Sequence, residues 1–281
     1  MTENRYSKIH VSISSGVARV TIDNPPVNVL DVVVMREIRG FLASVRDLPS
    51  VTVIVFDSAN PDFFIAHVDM SLIDDPHAFD ELAKDAPVGL NVFQDFAETL
   101  RRQPQLTIVK LAGIARGGGA EFVAAADMSF AASGRGRLSQ CEALMGIIPG
   151  GGATQLLAHR LGRARALEAI LGADLFDAET AERYGWVNRA LPDDKLDAFV
   201  DRLARNVAAL PTGVVAAAKH AVPPADLSEG LARENKAWAD LFTLPVVERL
   251  IRGGLARGAQ TRDGELRIEE LLRELGAPAS Q

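Results

Sequence analysis

The mixture of strand-like and helix-like hydrophobic patterns gives way once, near Leu191, to helical patterns alone along this 281-residue chain, and that change constrains the fold more than any single motif does. Up to Leu191, strand-like and helix-like stretches follow one another; beyond it only helical stripes remain. Residues 8–14 alternate, with Ile9, Val11 and Ile13 opposite Lys8, His10, Ser12 and Ser14. After Ser15-Gly16 a second alternating run sets Ala18, Val20 and Ile22 against Arg19, Thr21 and Asp23. Period two on both sides of a glycine turn predicts a β-hairpin. Over residues 30–48 the period becomes helical, with Val34, Ile38, Phe41, Leu42 and Val45 on one face and Pro49 closing the run. VTVIVFD (51–57) and LTIVKLA (106–112) are nearly all apolar and read as buried strands, as does the stretch at 127–132. A charge-rich helical stretch is predicted over about 77–103. This recurrence makes the fold class mixed α/β. Asp193 and Asp194 can cap a helix striped by Leu196, Phe199, Val200, Leu203 and Val207. Prolines at 211, 223, 224 and 245 then punctuate a series of helices, so the chain divides into an α/β core over 1–195 and a helical region over 196–281.

Composition removes several function classes. Hydrophobic residues make up 48% and charged residues 24%, the proportions of a globular chain. No apolar run approaches the ~20 residues of a membrane helix, and MTENRYSKIH lacks the apolar core of a secretory signal. The single cysteine, Cys141, leaves no internal disulfide framework and fits a reducing compartment. The expectation is a soluble, cytoplasmic protein. A net charge of −7 and a pI near 5.3 argue against nucleic acid as the main partner. A small anionic ligand stays compatible, because a few local donors can hold it. The five histidines show no metal-ligand spacing, so no metal is expected.

Two segments carry candidate chemistry. In AGIARGGGAEF (112–122), Gly117, Gly118 and Gly119 strip side chains from the backbone where a helix is predicted to begin at Ala120-Glu121. Bare N–H groups at a helix start can hold negative charge, including a thioester oxygen becoming an oxyanion. The same glycines also suit close packing of helix on strand, with Glu121 as a favourable first-turn charge. Spacing alone leaves both readings open. Neither GxGxxG nor GxxxxGK[ST] occurs, which weakens a nucleotide-binding reading. A second carboxylate, Glu142, lies 21 residues on, in an apolar stretch that leads to another glycine cluster, Gly150 to Gly152. Burial would raise its pKa into the range of general acid/base work; the alternative is a solvent-facing residue.

These segments, with NPPVNVL (24–30), FFIAHVDM (63–70), CEALMGIIPGGGATQLL (141–157) and AERYGWVNRALP (181–192), resemble the crotonase (enoyl-CoA hydratase/isomerase) superfamily over nearly the whole chain. The resemblance implies a spiral of ββα turns with a C-terminal α-helical trimerisation region, assembled as a homotrimer or hexamer. It implies an acyl-CoA thioester as ligand, no cofactor beyond the coenzyme A of the substrate, and no membrane partner. Two backbone N–H groups, at Val68 and Gly118, would polarise the acyl carbonyl. Glu121 and Glu142 would be the carboxylates that add water to a 2-enoyl-CoA. Ala66, His67, Asp69, Gly117 and Gly150 would surround the substrate. The alternatives on this scaffold are double-bond isomerisation, C–C or thioester cleavage, or a non-catalytic assembly role. Retention of both glutamates favours hydration.

Three residues depart from the pattern. His67 replaces the glycine that usually precedes the second N–H donor, and its side chain is expected to turn outward to solvent or a neighbouring subunit. Arg116 takes a position that is usually apolar, and a structural salt bridge is expected of it. Ser71 stands where a lysine is typical, which leaves the contacts to the CoA phosphates unplaced. Cys141 reads as a small buried thiol, and Tyr184 and Trp186 as packing residues around Gly185.

Overall fold

Ser15 (φ 50°) and Gly16 (φ 79°) both adopt the left-handed region, and the turn they make closes the predicted hairpin of β1 (Ile9–Ser14) and β2 (Val17–Ile22). The structure, a computed structural model, describes residues 6–75 and 77–277; the first five residues of the N-terminal segment assessed above lie outside them. From β2 the large sheet continues in parallel through β3 (Val53–Ser58), β5 (Leu106–Leu111), β7 (Met128–Ala132) and β10 (Arg189–Leu191). A second sheet takes β4 (Phe63–Ile65), β6 (Ile114–Arg116) and β8 (Arg137–Ser139) in parallel, with β9 (Phe176–Asp177) antiparallel at its edge. Each strand of the large sheet from β3 to β7 is followed at once by a strand of the small sheet and then by helical structure. That repeat is the expected spiral of ββα turns.

The apolar runs are explained by coverage on both faces. Along β3, Ile54 and Phe56 join the central core with Val34, Ile38 and Phe41 of α1 (Val32–Val45). Val53 and Val55 face the other way, onto Leu196 and Val200 of α8 (Asp193–Ala208). Thus the predicted division at 195 falls inside a helix that seals the back of the large sheet. Pro192 occupies the N-cap of α8, and Asp193 instead accepts the Gly134 N–H (2.8 Å) and an Arg135 N–H (2.9 Å). The predicted helical stretch at 77–103 is two helices, α2 (Asp80–Ala83) and α3 (Val92–Arg101). Pro87 and Gly89 (φ 96°) break it, and Asn91 restarts it with a capping box to Gln94.

Four helices complete the core: α4 (Gly118–Ala125), α5 (Ala153–Leu161), α6 (Arg163–Gly172) and α7 (Ala178–Tyr184). Tyr184 and the fully buried Trp186 pack with Phe176 around the turn at Gly185, as expected. After α8 come α9 (Val214–Ala221), α10 (Ser228–Phe242), α11 (Pro245–Ala256), α12 (Arg262–Glu265) and α13 (Ile268–Gly276). The last helices fold back over the core. Val247, Ile251, Ile268, Leu271 and Leu272 form one apolar cluster with Met70, Cys141, Met145 and Ile147. The helical region therefore builds one wall of the cleft that the core opens. Among the described residues no helix is long and apolar enough to cross a membrane.

Candidate active site

The two readings of the glycine run both hold, at different glycines. Gly119 is a packing residue: a Cβ there would stand 2.3 Å from Ile65 O, so α4 can lie on β4 only without one. Gly117 belongs to the cleft. Its φ of 47° and ψ of −124° suit glycine, and a Cβ on it would meet Glu142 Oε1 at 2.8 Å. Gly118, not Ala120, is the first residue of α4, so its N–H has no acceptor within the helix.

The second backbone donor is set by a short parallel bridge between Leu30 and Val68. Leu30 N donates to His67 O (2.7 Å), and Asp69 N donates to Leu30 O (3.2 Å). A trans peptide points its N–H opposite its carbonyl, so the Val68 N–H turns away from Leu30's backbone. Val68 N lies 3.9 Å from the place a Cβ on Gly118 would take. Both residues line one cavity of about 250 Å³.

Glu121 and Glu142 line the same cavity, and both are buried. Glu121, in the first turn of α4, accepts the N–H groups of Gly151 (2.8 Å) and Ala153 (3.0 Å) on a single oxygen, Oε1. Burial, then the neighbouring Glu142 and Glu234, push its carboxyl well above the usual range; the two amides pull the other way. Glu142 opens a 3₁₀ turn, Glu142–Met145, and its buried Oε2 has no hydrogen-bond partner among the described residues. Burial pushes it up to about 7; its own backbone N–H and His67 pull it down, and Glu234 adds to the rise.

His67, Val68, Asp69, Gly117, Gly118 and Gly150 thus join the two glutamates around one space. Ala66 does not. It packs with Val27, Phe63 and Ile114 behind the cleft, because alternation along the segment turns it to the opposite side from His67.

His67 also corrects its expectation. It is 3% exposed, with Nδ1 2.7 Å from Val68 O and Nε2 2.8 Å from Glu265 Oε1. The partner that holds it inside comes from α12, 198 positions away. Its backbone is outside the left-handed region, so no glycine is needed at 67. Arg116 makes the expected salt bridge: its Nε and Nη2 fork onto Glu269 at 2.6 and 3.1 Å. Cys141 is buried beside the carboxylates, and burial with Glu142 pushes its thiol well up, away from the thiolate.

Several residues in the cleft and behind it were not anticipated. Glu234 of α10 is buried and accepts the Gly152 N–H (2.7 Å), the Thr154 N–H (3.0 Å) and a Gln94 side-chain N–H (3.0 Å). It fixes the glycine loop that in turn holds Glu121. Within RENKAW it looks like any charge on a solvated helix, and only the tertiary fold reveals it. An aromatic wall also assembles from separate elements. Phe93 packs edge-on against Phe79 (4.9 Å) and Trp238 (6.3 Å), and Trp238 stacks on Phe242 (4.8 Å). Among the described residues no group of three His, Cys, Asp or Glu is placed to hold a metal ion.

Two sheets wound as ββα turns, with a helical C-terminal region folded over the cleft, define the crotonase fold. The sequence profile of the enoyl-CoA hydratase/isomerase family matches residues 12–265, and the chain belongs to that family. It is 30% identical over 242 residues to the "Probable enoyl-CoA hydratase echA8" of Mycobacterium bovis, covering 84% of this chain and 90% of the relative. It is 28% identical to the short-chain-enoyl-CoA hydratase of Clostridium acetobutylicum, covering 81% of this chain and 86% of that one. A crystal structure described as a "putative enoyl-CoA hydratase" from Streptomyces avermitilis superposes with a TM-score of 0.95 at 60% identity, over 96% of this chain and 99% of the other.

Proposed function

We propose that this protein is a hydro-lyase that adds water across the double bond of a 2-enoyl-CoA, using Glu121 and Glu142 as its acid/base pair and the Val68 and Gly118 N–H groups as its oxyanion hole. The observation that carries the reading is the convergence of two buried carboxyls, both with raised pKa, on one cavity with the Val68 and Gly118 backbone. With a thioester oxygen between the two amides, negative charge developing on it is met by fixed dipoles in a water-poor site. Both amides on Glu121 fall on Oε1, which leaves Oε2 to hold the attacking water. Addition forms a C–O bond at Cβ and a C–H bond at Cα. One carboxylate takes a proton from the water, and the other, as the acid, gives one to Cα. One carboxyl held well above the usual range and one raised to about 7 suit the acid and base halves of this exchange.

Isomerisation needs only one carboxyl that moves a proton from carbon to carbon, so the second buried acid supports hydration over it. The far wall of the cavity is formed by Met70, Phe93, Ile147, Trp238, Phe242 and Ile251, which suits an unbranched or aromatic apolar acyl group. We further propose that the protein works as a trimer or dimer of trimers on the acyl-CoA of the cytoplasm. Support for assembly comes from α9, VVAAAKHA, which buries none of its residues within the chain, and from the exposed Leu210, Val222, Leu244 and Val246 nearby in sequence. The test of the reaction is a spectrophotometric screen of 2-enoyl-CoAs of increasing chain length, following loss of the conjugated thioester.

A further inference from the structure

Behind the cleft lies a closed group of four ionisable side chains that the proposed reaction does not use. His67, Arg116, Glu265 and Glu269 are 3%, 0%, 0% and 7% exposed. They come from the turn after β4, from β6, from α12 and from α13. Arg116 forks onto Glu269 and places Nη1 3.6 Å from Glu265 Oε2. Glu265 Oε1 accepts both the Gln260 N–H (2.8 Å) and a ring N–H of His67. The Gln260 side chain bonds the Asp69 carboxylate (2.9 Å), so the same contacts bind both sides of Val68 to the C-terminal helices.

The ring geometry decides the charge of His67. Val68 O is a carbonyl and carries no hydrogen, so Nδ1 at 2.7 Å must be the donor. Glu265 Oε1 already accepts an amide N–H, and Arg116 Nη1 stands 3.6 Å from Oε2 of the same group, so Glu265 is a carboxylate and Nε2 at 2.8 Å is a donor too. Both nitrogens carry hydrogens, and the ring is an imidazolium. The two cations and two carboxylates then cancel, which is how such a group survives out of water. Glu265 holds the histidine's pKa up against burial, and His67 and Arg116 hold Glu265 down.

His67 also lines the cavity, whose other ionisable carboxyl walls are Asp69, Asp75, Glu121 and Glu142. Among the described lining residues it is the one that can carry positive charge. We propose that His67 is a positioning residue, a buried imidazolium that pins the Val68 turn to α12 and favours the ionised form of Glu142, the form that can take a proton from water. The proposal deepens the hydratase reading and rests on it. Its parts follow from the contacts: the His67 carbonyl is held by Leu30 N, the Val68 carbonyl by the His67 ring, and the N–H between them is left for the ligand.

The test is a pH titration of the Glu142 carboxyl by ¹³C NMR, assigned by its loss in Glu142→Gln, in the full chain and in His67→Gln. Removing a cation disfavours the carboxylate, so the midpoint in His67→Gln should move up by about one pH unit, and the acidic limb of kcat/KM on a 2-enoyl-CoA should move with it. If His67→Gln does not fold, His67→Gln/Glu265→Gln removes the pair together and leaves no buried ion without a partner; its midpoint should move in the same direction by less. An unmoved midpoint in a folded variant, or a His67 ring that is neutral at pH 7 by ¹⁵N NMR, overturns the proposal. Failure of the wild type to turn over any 2-enoyl-CoA would sink the hydratase reading alone, because both NMR readouts need no turnover.

Discussion

Glu142 Oε1 lies 2.8 Å from the point a Cβ would occupy on Gly117, so one carboxylate uses the space left by a missing side chain. Gly117→Ala should therefore displace Glu142 as well as strain a backbone at φ 47°. We expect kcat to fall by about 10²-fold, because displacing a reacting group by about 1 Å costs that much. Stability should drop by about 1–2 kcal/mol for a non-glycine residue in left-handed backbone. Steady-state kinetics and denaturant unfolding read the two effects separately; an alanine variant with wild-type kcat would show that Glu142 does not need this space.

Glu142→Gln should lose activity and gain stability at alkaline pH. The folded-state pKa of Glu142 is raised from 4.5 to about 7, so between those values the folded chain binds more protons than the unfolded one. Stability from this group is fully present below about pH 4.5 and is lost as pH rises through about 7. The loss is on the order of 3 kcal/mol as an upper bound. Glutamine cannot ionise, so its Tm should exceed that of the wild type at pH 8 and approach it at pH 5. Thermal denaturation at both pH values checks this, and a variant less stable at pH 8 would contradict it.

How much of this was legible beforehand divides by the range of the interaction. The hairpin at Ser15-Gly16, α1, and strands β3, β5 and β7 follow from periodicity and turn chemistry, which act within a few residues. Val68, Gly118, Glu121 and Glu142 were reached through motif resemblance, and all four line one cavity. His67 was misjudged because its partner is Glu265, 198 positions on, and nothing local marks a glutamate that will be buried. Glu234 was missed for the same reason. The break between α2 and α3 was written in Pro87 and Gly89, yet flanking charge at helical spacing masked it.

Trp238 lies against Gly150, where a Cβ would stand 2.9 Å from its Cδ1, and closes the apolar end of the cavity with Phe93 and Phe242. Trp238→Ala should open that end. We expect kcat/KM for longer or bulkier 2-enoyl-CoAs to rise about tenfold relative to a four-carbon substrate, within the range that apolar pocket contacts supply. A chain-length series on both proteins measures it. An unchanged preference would place the acyl group elsewhere.

The exposed apolar residues from Leu210 to Val246 should be covered by assembly. Light scattering at micromolar concentration should give three times the 30.1 kDa chain mass, or six times it. A monomer would contradict the assembly proposal and leave the cleft's internal geometry as it is.

The most direct test of the central claim is turnover of a short 2-enoyl-CoA in ¹⁸O-labelled water by the wild type, Glu121→Gln and Glu142→Gln. The wild type should consume the conjugated thioester and place the label on C3 of a 3-hydroxyacyl-CoA. Each glutamine variant should do so about 10²–10⁴-fold more slowly. A product without label at C3, such as a shifted double bond or a carboxylic acid labelled at C1 by thioester hydrolysis, or full activity in either variant, would contradict the claim that these two carboxyls add water.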